Sequence, residues 1–262
     1  MGGERPPAGR FGPRESSILP VEEKQGMPMN VVAPSAATAP RRTSSNRLSR
    51  LLQSSIGLKL IMALTGVILS GFVLGHMVGN LKVFEGSEAI NAYGRLLRFE
   101  PALLWAVRFG LLGAVGLHIW AWLQLLRVNL AARPVGYRQK TNKEADYASL
   151  SMRFTGPLLL AFIVFHILHL TTGTVHPDFK EGDVYHNLVV GLKVVPVALF
   201  YLAAMAALGL HLRHGIWSLF QTLGASQAKE HSFGRGFATV FTLVVVLGFA
   251  AIPLCIVTGV IK

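Results

Sequence analysis

Read for hydrophobic pattern alone, the chain changes character near residue 55. Downstream, apolar stretches over about 57–80, 103–126, 154–173, 188–213 and 236–260 alternate with shorter polar connections. Each is close to the ~20 residues that an α-helix needs to cross a bilayer core. Leu, Ala, Val and Gly dominate and no period-2 alternation runs through them, which predicts membrane helices rather than barrel strands. The expected fold is an all-α integral membrane protein in which four spans form a bundle and the fifth packs beside it. Upstream, residues 1–54 are rich in Pro, Gly, Ser, Ala and Arg and hold no apolar run long enough for a signal-peptide core. They read as a basic, disordered tail. Its last part, Arg41 to Leu52, carries Arg41, Arg42, Arg47 and Arg50 and suits a short interfacial helix. The division expected is therefore a tail over 1–54 and a membrane domain over 55–262.

Composition agrees with this pattern. Of 262 residues, 52% are hydrophobic and 15% charged, where a soluble chain is about a quarter charged. All 13 acidic residues fall outside the five stretches, as the cost of an unpaired carboxylate at mid-bilayer requires. The net charge of +12 is unevenly placed. The 127–153 connection holds Arg127, Arg133, Arg138, Lys140, Lys143 and Arg153, whereas the basic residues of 81–102 and 174–187 are offset by acids. The positive-inside rule then puts the N-terminus in the cytoplasm and the C-terminus on the outer side of the inner membrane. The cations mark orientation, not a nucleic-acid partner. Arg108 and Lys193, early in the second and fourth spans, read as snorkelling cations near the outer surface. One cysteine, Cys255, excludes an internal disulfide and a cysteine-held metal cluster within this chain.

The nine histidines then become the informative residues. His76, His118, His166 with His169, and His211 with His214 lie in four successive spans; the fifth has none. One such residue suits helix packing, but one on each of four membrane helices points to function. Counted from Lys59, His76 lies roughly 25 Å from the inner end of its span, and His166 roughly 20 Å from Arg153. His118 is about 14 Å from Arg127, and His211 is close to Arg213. Depth thus sorts an outer pair, His76 and His166, from an inner pair, His118 and His211. Paired imidazoles without a carboxylate or cysteine suit axial ligation of haem iron; zinc would need three or four ligands at one level.

Further residues are candidates for support. Gly66, Gly71, Gly75 and Gly79 line one side of the first span, which suits either close helix packing or room for a flat macrocycle. Lys59, Arg153 and Arg213 lie at inner ends, where they can anchor to headgroups or pair haem propionates. His169 and His214 each follow a ligand candidate by three residues, on nearly the same face. They stand as alternative ligands, propionate partners or supports of the neighbouring ligand. His176, His186 and His231 read as solvated loop residues.

These same residues carry a resemblance. The runs Ser55-Ile56-Gly57-Leu58-Lys59, Ala63-Leu64-Thr65-Gly66 and Gly75-His76-Met77-Val78-Gly79-Asn80-Leu81 resemble the first span of the succinate dehydrogenase/fumarate reductase cytochrome b subunit. The single-chain, five-helix, two-haem type is the one matched. Leu117-His118, Ala132-Arg133-Pro134, Arg153-Phe154-Thr155-Gly156, Phe165 to His169, and Leu210 to Ser218 extend the likeness over about residues 50–262. The resemblance implies an outer haem b held by His76 and His166 and an inner one by His118 and His211. It also implies docking of a flavoprotein and an iron–sulfur protein, electron exchange with menaquinone or ubiquinone, and a higher oligomer of the complex as one possible assembly. Some members carry a glutamate two residues before the fourth-span histidine, linked to transmembrane proton movement; here that position is Gly209. By location, Glu85, Glu88 and Glu100 are candidates for proton exchange at an outer quinone site, or plain solvated acids.

The function expected is the membrane anchor of succinate:quinone oxidoreductase, with dicarboxylate chemistry on another subunit. The alternatives are a di-haem cytochrome b of a formate dehydrogenase or hydrogenase, and a haem-free membrane transporter.

Overall fold

The computed structural model describes residues 54–132, 147–224 and 228–262, without the side chains of 148–150 and 228–231. The tail with its arginines, the loop cations Arg133, Arg138, Lys140 and Lys143, and the side chain of His231 lie outside the described residues.

Among the described residues seven α-helices follow one another: α1 Ser55–Asn80, α2 Ser87–Arg98, α3 Pro101–Ala131, α4 Tyr147–Leu170, α5 Val184–Lys193, α6 Val195–Thr222 and α7 Ala228–Val257. Five of them (α1, α3, α4, α6 and α7) contain stretches long and apolar enough to cross a membrane, so the protein is an integral membrane protein of all-α class. Local chemistry sets the ends. The Ser54 side chain accepts from Gly57 N–H at 3.0 Å and caps α1. Pro101 opens α3, where a missing N–H costs nothing.

The polar connections at one end hold more structure than their pattern suggested. After a 3-10 turn over Leu81–Glu85, Gly86 turns the chain at φ 104°, open to glycine alone, and starts the amphipathic helix α2. The fourth apolar stretch is also two elements. Val194 is extended, and α6 begins anew with Pro196 in its first turn, because the proline ring in a continuous helix would strike the carbonyl of Leu192. Lys193 therefore ends the short helix α5 and is not inside a span. The third span stops at Leu170, before the turn at Gly173, rather than at 173.

In space, α1 packs against α3, α6 and α7, and α6 packs against α4 and α7. Among the described residues, neither α1 with α4 nor α3 with α6 forms a packing pair. At the cap end, α2 and α5 cover the bundle. Val83, Ile90, Leu188, Val189, Leu192, Tyr201, Ile252, Ile256 and Ile261 form its apolar core.

Polar bonds hold this cap in register. Asn91 of α2 donates to Asp183 Oδ1 and accepts from Tyr185 N–H, both at 3.0 Å. The buried Asn187 amide exchanges two bonds of 2.7 Å with the backbone of Lys180. Asn187→Leu would strand both Lys180 groups, and we expect it to lower the thermal midpoint in detergent by an amount equivalent to about 1–3 kcal/mol. Asp183 caps α5. The His186 backbone N–H, and next the Asn91 amide, hold its carboxyl below the ordinary carboxylate range. Its contribution to stability is thus present above the unfolded pKa of about 3.9 and is lost as pH falls through the lower folded value. The thermal midpoint of Asp183→Ala should lie below that of the unsubstituted protein at neutral pH, and the gap should close at pH below about 4.

Candidate functional site

The helices that carry the histidines bring them together in two pairs. His76 of α1 and His166 of α4 stand with ring centroids 5.9 Å apart, edge to face. His118 of α3 and His211 of α6 stand 6.3 Å apart. In each pair the side chains meet across the interior from helices that do not pack together. Their levels differ: His118 touches α1 at Thr65, eleven residues before His76, a rise of roughly 16 Å.

Each pair has its own surroundings. On the cap side, Phe72 stacks on His76 at 5.4 Å from one turn below, and Phe249 of α7 approaches at 5.8 Å. Asn80 donates to the His76 carbonyl at 2.7 Å. Phe162 lies 5.7 Å from His166, and the buried Tyr201 hydroxyl sits 3.3 Å from its Nδ1. On the tail side, the His118 Nδ1 lies 2.9 Å from the Thr65 hydroxyl, which donates to the Ile61 carbonyl at 2.7 Å. With that hydroxyl proton committed, His118 Nδ1–H is the donor, and its Nε2 carries the lone pair.

These donor sets suit a metal with two axial imidazoles. With each coordinating nitrogen about 2 Å from the metal, opposed imidazole rings have centroids roughly 6 Å apart. Among the described residues, the Nε2 atoms of His118, His166 and His211 make no hydrogen bond and are not sealed in by protein. No group of three or more His, Cys, Asp or Glu able to hold a metal occurs among those residues. Each level thus offers two imidazoles, one from each of two helices. The glycines of α1 divide by role. A Cβ on Gly79 would fall 2.5 Å from the Tyr93 ring, so that glycine serves close packing. Gly71 and Gly75 would meet nothing within 4 Å; packing does not require them.

The other candidates stand elsewhere. Lys59 and Arg153 are exposed, and Arg213 and His214 half-buried, all toward the tail end. Glu85 pairs with Lys82 at 3.2 Å, while Glu88 and Glu100 are exposed. His169 is fully buried, with Nδ1 3.0 Å from Tyr201 Oη and its ring stacked on Phe165. Two histidines expected in solvent are not there. His176 is half-buried beside His169, donating from Nε2 to the Asn187 carbonyl at 2.7 Å and accepting at Nδ1 from Asp178 N–H. His186 lies in α5, with Nε2 2.9 Å from the Asp178 carboxylate. The cap folds over both, and a hydropathy pattern does not show that.

Thr65 and Tyr201 are the supporting residues that residue-by-residue reading missed. Their signal was present: a hydroxyl in an apolar span, eleven and ten residues ahead of a histidine on the same helix, one bundle level away.

Residues 133–251 match the family model described as succinate dehydrogenase/fumarate reductase transmembrane subunit. That stretch contains His166, His169, His211 and His214, and it stops short of His76 and His118. No curated protein and no solved structure matches the chain.

Proposed function

We propose that this chain, whose residues 133–251 match the succinate dehydrogenase/fumarate reductase transmembrane subunit model, is the di-haem cytochrome b anchor of such a complex. The observation that carries the reading is the pairing itself: four imidazoles on four separate helices, at two levels, with centroid separations of 5.9 and 6.3 Å. His76 and His166 hold the haem b at the cap end, and His118 and His211 the one nearer the tail end. Bound haem b supplies one-electron redox chemistry, connecting the iron–sulfur subunit on the cytoplasmic face with membrane quinone.

The residues of the chain do the rest. Thr65 fixes the His118 ring and its tautomer, so that Nε2 is presented to iron; a hydrogen bond from the far ring nitrogen raises ligand basicity. Arg213, Lys59 and Arg153 supply positive charge for propionates at the tail end, which faces the cytoplasm in this reading. His214 adds a hydrogen-bonding group beside His211. The apolar interior excludes water and makes the environment of the iron depend on these few polar groups. Docking of the flavoprotein and iron–sulfur subunits falls to the basic cytoplasmic face.

A reduced-minus-oxidised spectrum of the purified chain tests this directly. A b-type α-band that titrates as two components supports it, and no band would return the chain to a haem-free membrane protein. His118→Ala or His211→Ala should remove the inner component alone, and His76→Ala or His166→Ala the outer one. Thr65→Val keeps the volume and removes the acceptor for His118. It should weaken retention of the inner haem by about 10–100-fold, read as haem content after detergent washing.

A further inference from the structure

Tyr201 is the buried phenol of α6, and its hydroxyl lies between two imidazoles, His166 Nδ1 at 3.3 Å and His169 Nδ1 at 3.0 Å. A hydroxyl can donate to one of these and accept from the other. Resting on the di-haem reading, we propose that Tyr201 and His169 form a positioning relay that fixes the tautomer and electronic character of His166.

The direction of the relay follows from proton counting. If His166 presents Nε2 to iron, its proton sits on Nδ1 and is donated to Tyr201 Oη. The Tyr201 proton then goes to His169 Nδ1, which leaves the His169 proton on Nε2. Passing the hydroxyl proton onward makes the Tyr201 oxygen a better acceptor, so the two bonds reinforce each other. Stronger donation from His166 Nδ1–H makes this imidazole a more basic ligand and favours the oxidised iron.

The surroundings are built to hold this geometry. Phe162 packs edge-on against the Tyr201 ring at 5.0 Å, and Phe165 stacks on His169 at 5.3 Å. His169 has no solvent exposure, and among the described residues its Nε2 has no hydrogen-bond partner. An unpaired buried nitrogen is costly to keep, and a purely structural contact between Phe165 and α5 would be served better by an apolar ring. Space for the imidazole comes from Gly191 of α5, where a Cβ would lie 2.6 Å from His169 Cε1. The tail-side pair has a simpler arrangement, since Thr65 returns its proton to the backbone of its own helix.

The test is a redox titration of the haem-loaded complex, with the two haems assigned from the histidine-to-alanine variants. Tyr201→Phe keeps the ring and should retain both haems, raise the midpoint potential of the outer haem and leave the inner one unmoved. His169→Phe keeps the stacking on Phe165, removes the acceptor of the Tyr201 proton, and should move the outer midpoint in the same direction by less. An outer midpoint unchanged in both variants overturns the proposal, with the di-haem reading intact. If Tyr201→Phe loses the outer haem, His169→Phe decides: a raised outer midpoint supports the relay and an unchanged one overturns it. Absence of two haems from the unsubstituted complex would instead overturn the reading on which the relay rests.

Discussion

The rest of the structure depends on how expensive it is to place a polar side chain in an apolar solvent. Within a bilayer a side-chain nitrogen has no water to bond, so it must find its partner in protein or ligand. The spans exclude acids altogether and admit imidazoles, which are neutral, carry one donor and one acceptor, and bind metals. That restriction explains why so few polar contacts cross the bundle and why they converge at two levels. Among the described residues the helices that bear each pair are not packing neighbours, and the histidine side chains meet across the distance between them.

Much of this was legible in the sequence, for identifiable reasons. Five spans follow from length and apolarity, which are local properties. The sorting of His76 with His166 and of His118 with His211 needed only the helical rise and the alternating direction of successive spans, and the same pairs stand within ring contact in the structure. What was not legible depends on tertiary context. A hydropathy average runs straight through Val194, where α5 ends and α6 begins, because both sides are equally apolar. The same average treats Ser87–Arg98 as a polar connection, although its amphipathic face lies on α5 and places Ile90 in the cap core. His176 and Asn187 look like loop residues until the cap closes on them.

The two histidine levels differ in how their hydrogen bonds terminate. At the tail side, Thr65 returns its proton to a backbone carbonyl one turn away, so orientation there is settled within α1. At the cap side the bonds run through Tyr201 to His169 and end against α5 at Gly191. The geometry of the cap-side pair is thereby coupled to the packing of α5, and so to the Asn91, Asp183 and Asn187 bonds that hold α5 in place. Changes in the cap have a route of a few contacts to His166.

The extent of the family match has a structural consequence. Residues 133–251 include one member of each pair, His166 and His211, and omit the other. Neither level can be assembled from the matched stretch alone. His76 and His118 come from α1 and α3, and α3 packs only against α1 and α2 among its described neighbours. The position of α1 therefore decides both levels at once. It carries His76, holds His118 through Thr65, and leaves Gly66 without a side chain where the His118 ring approaches. The matched stretch thus meets its partner histidines through one helix that lies outside it.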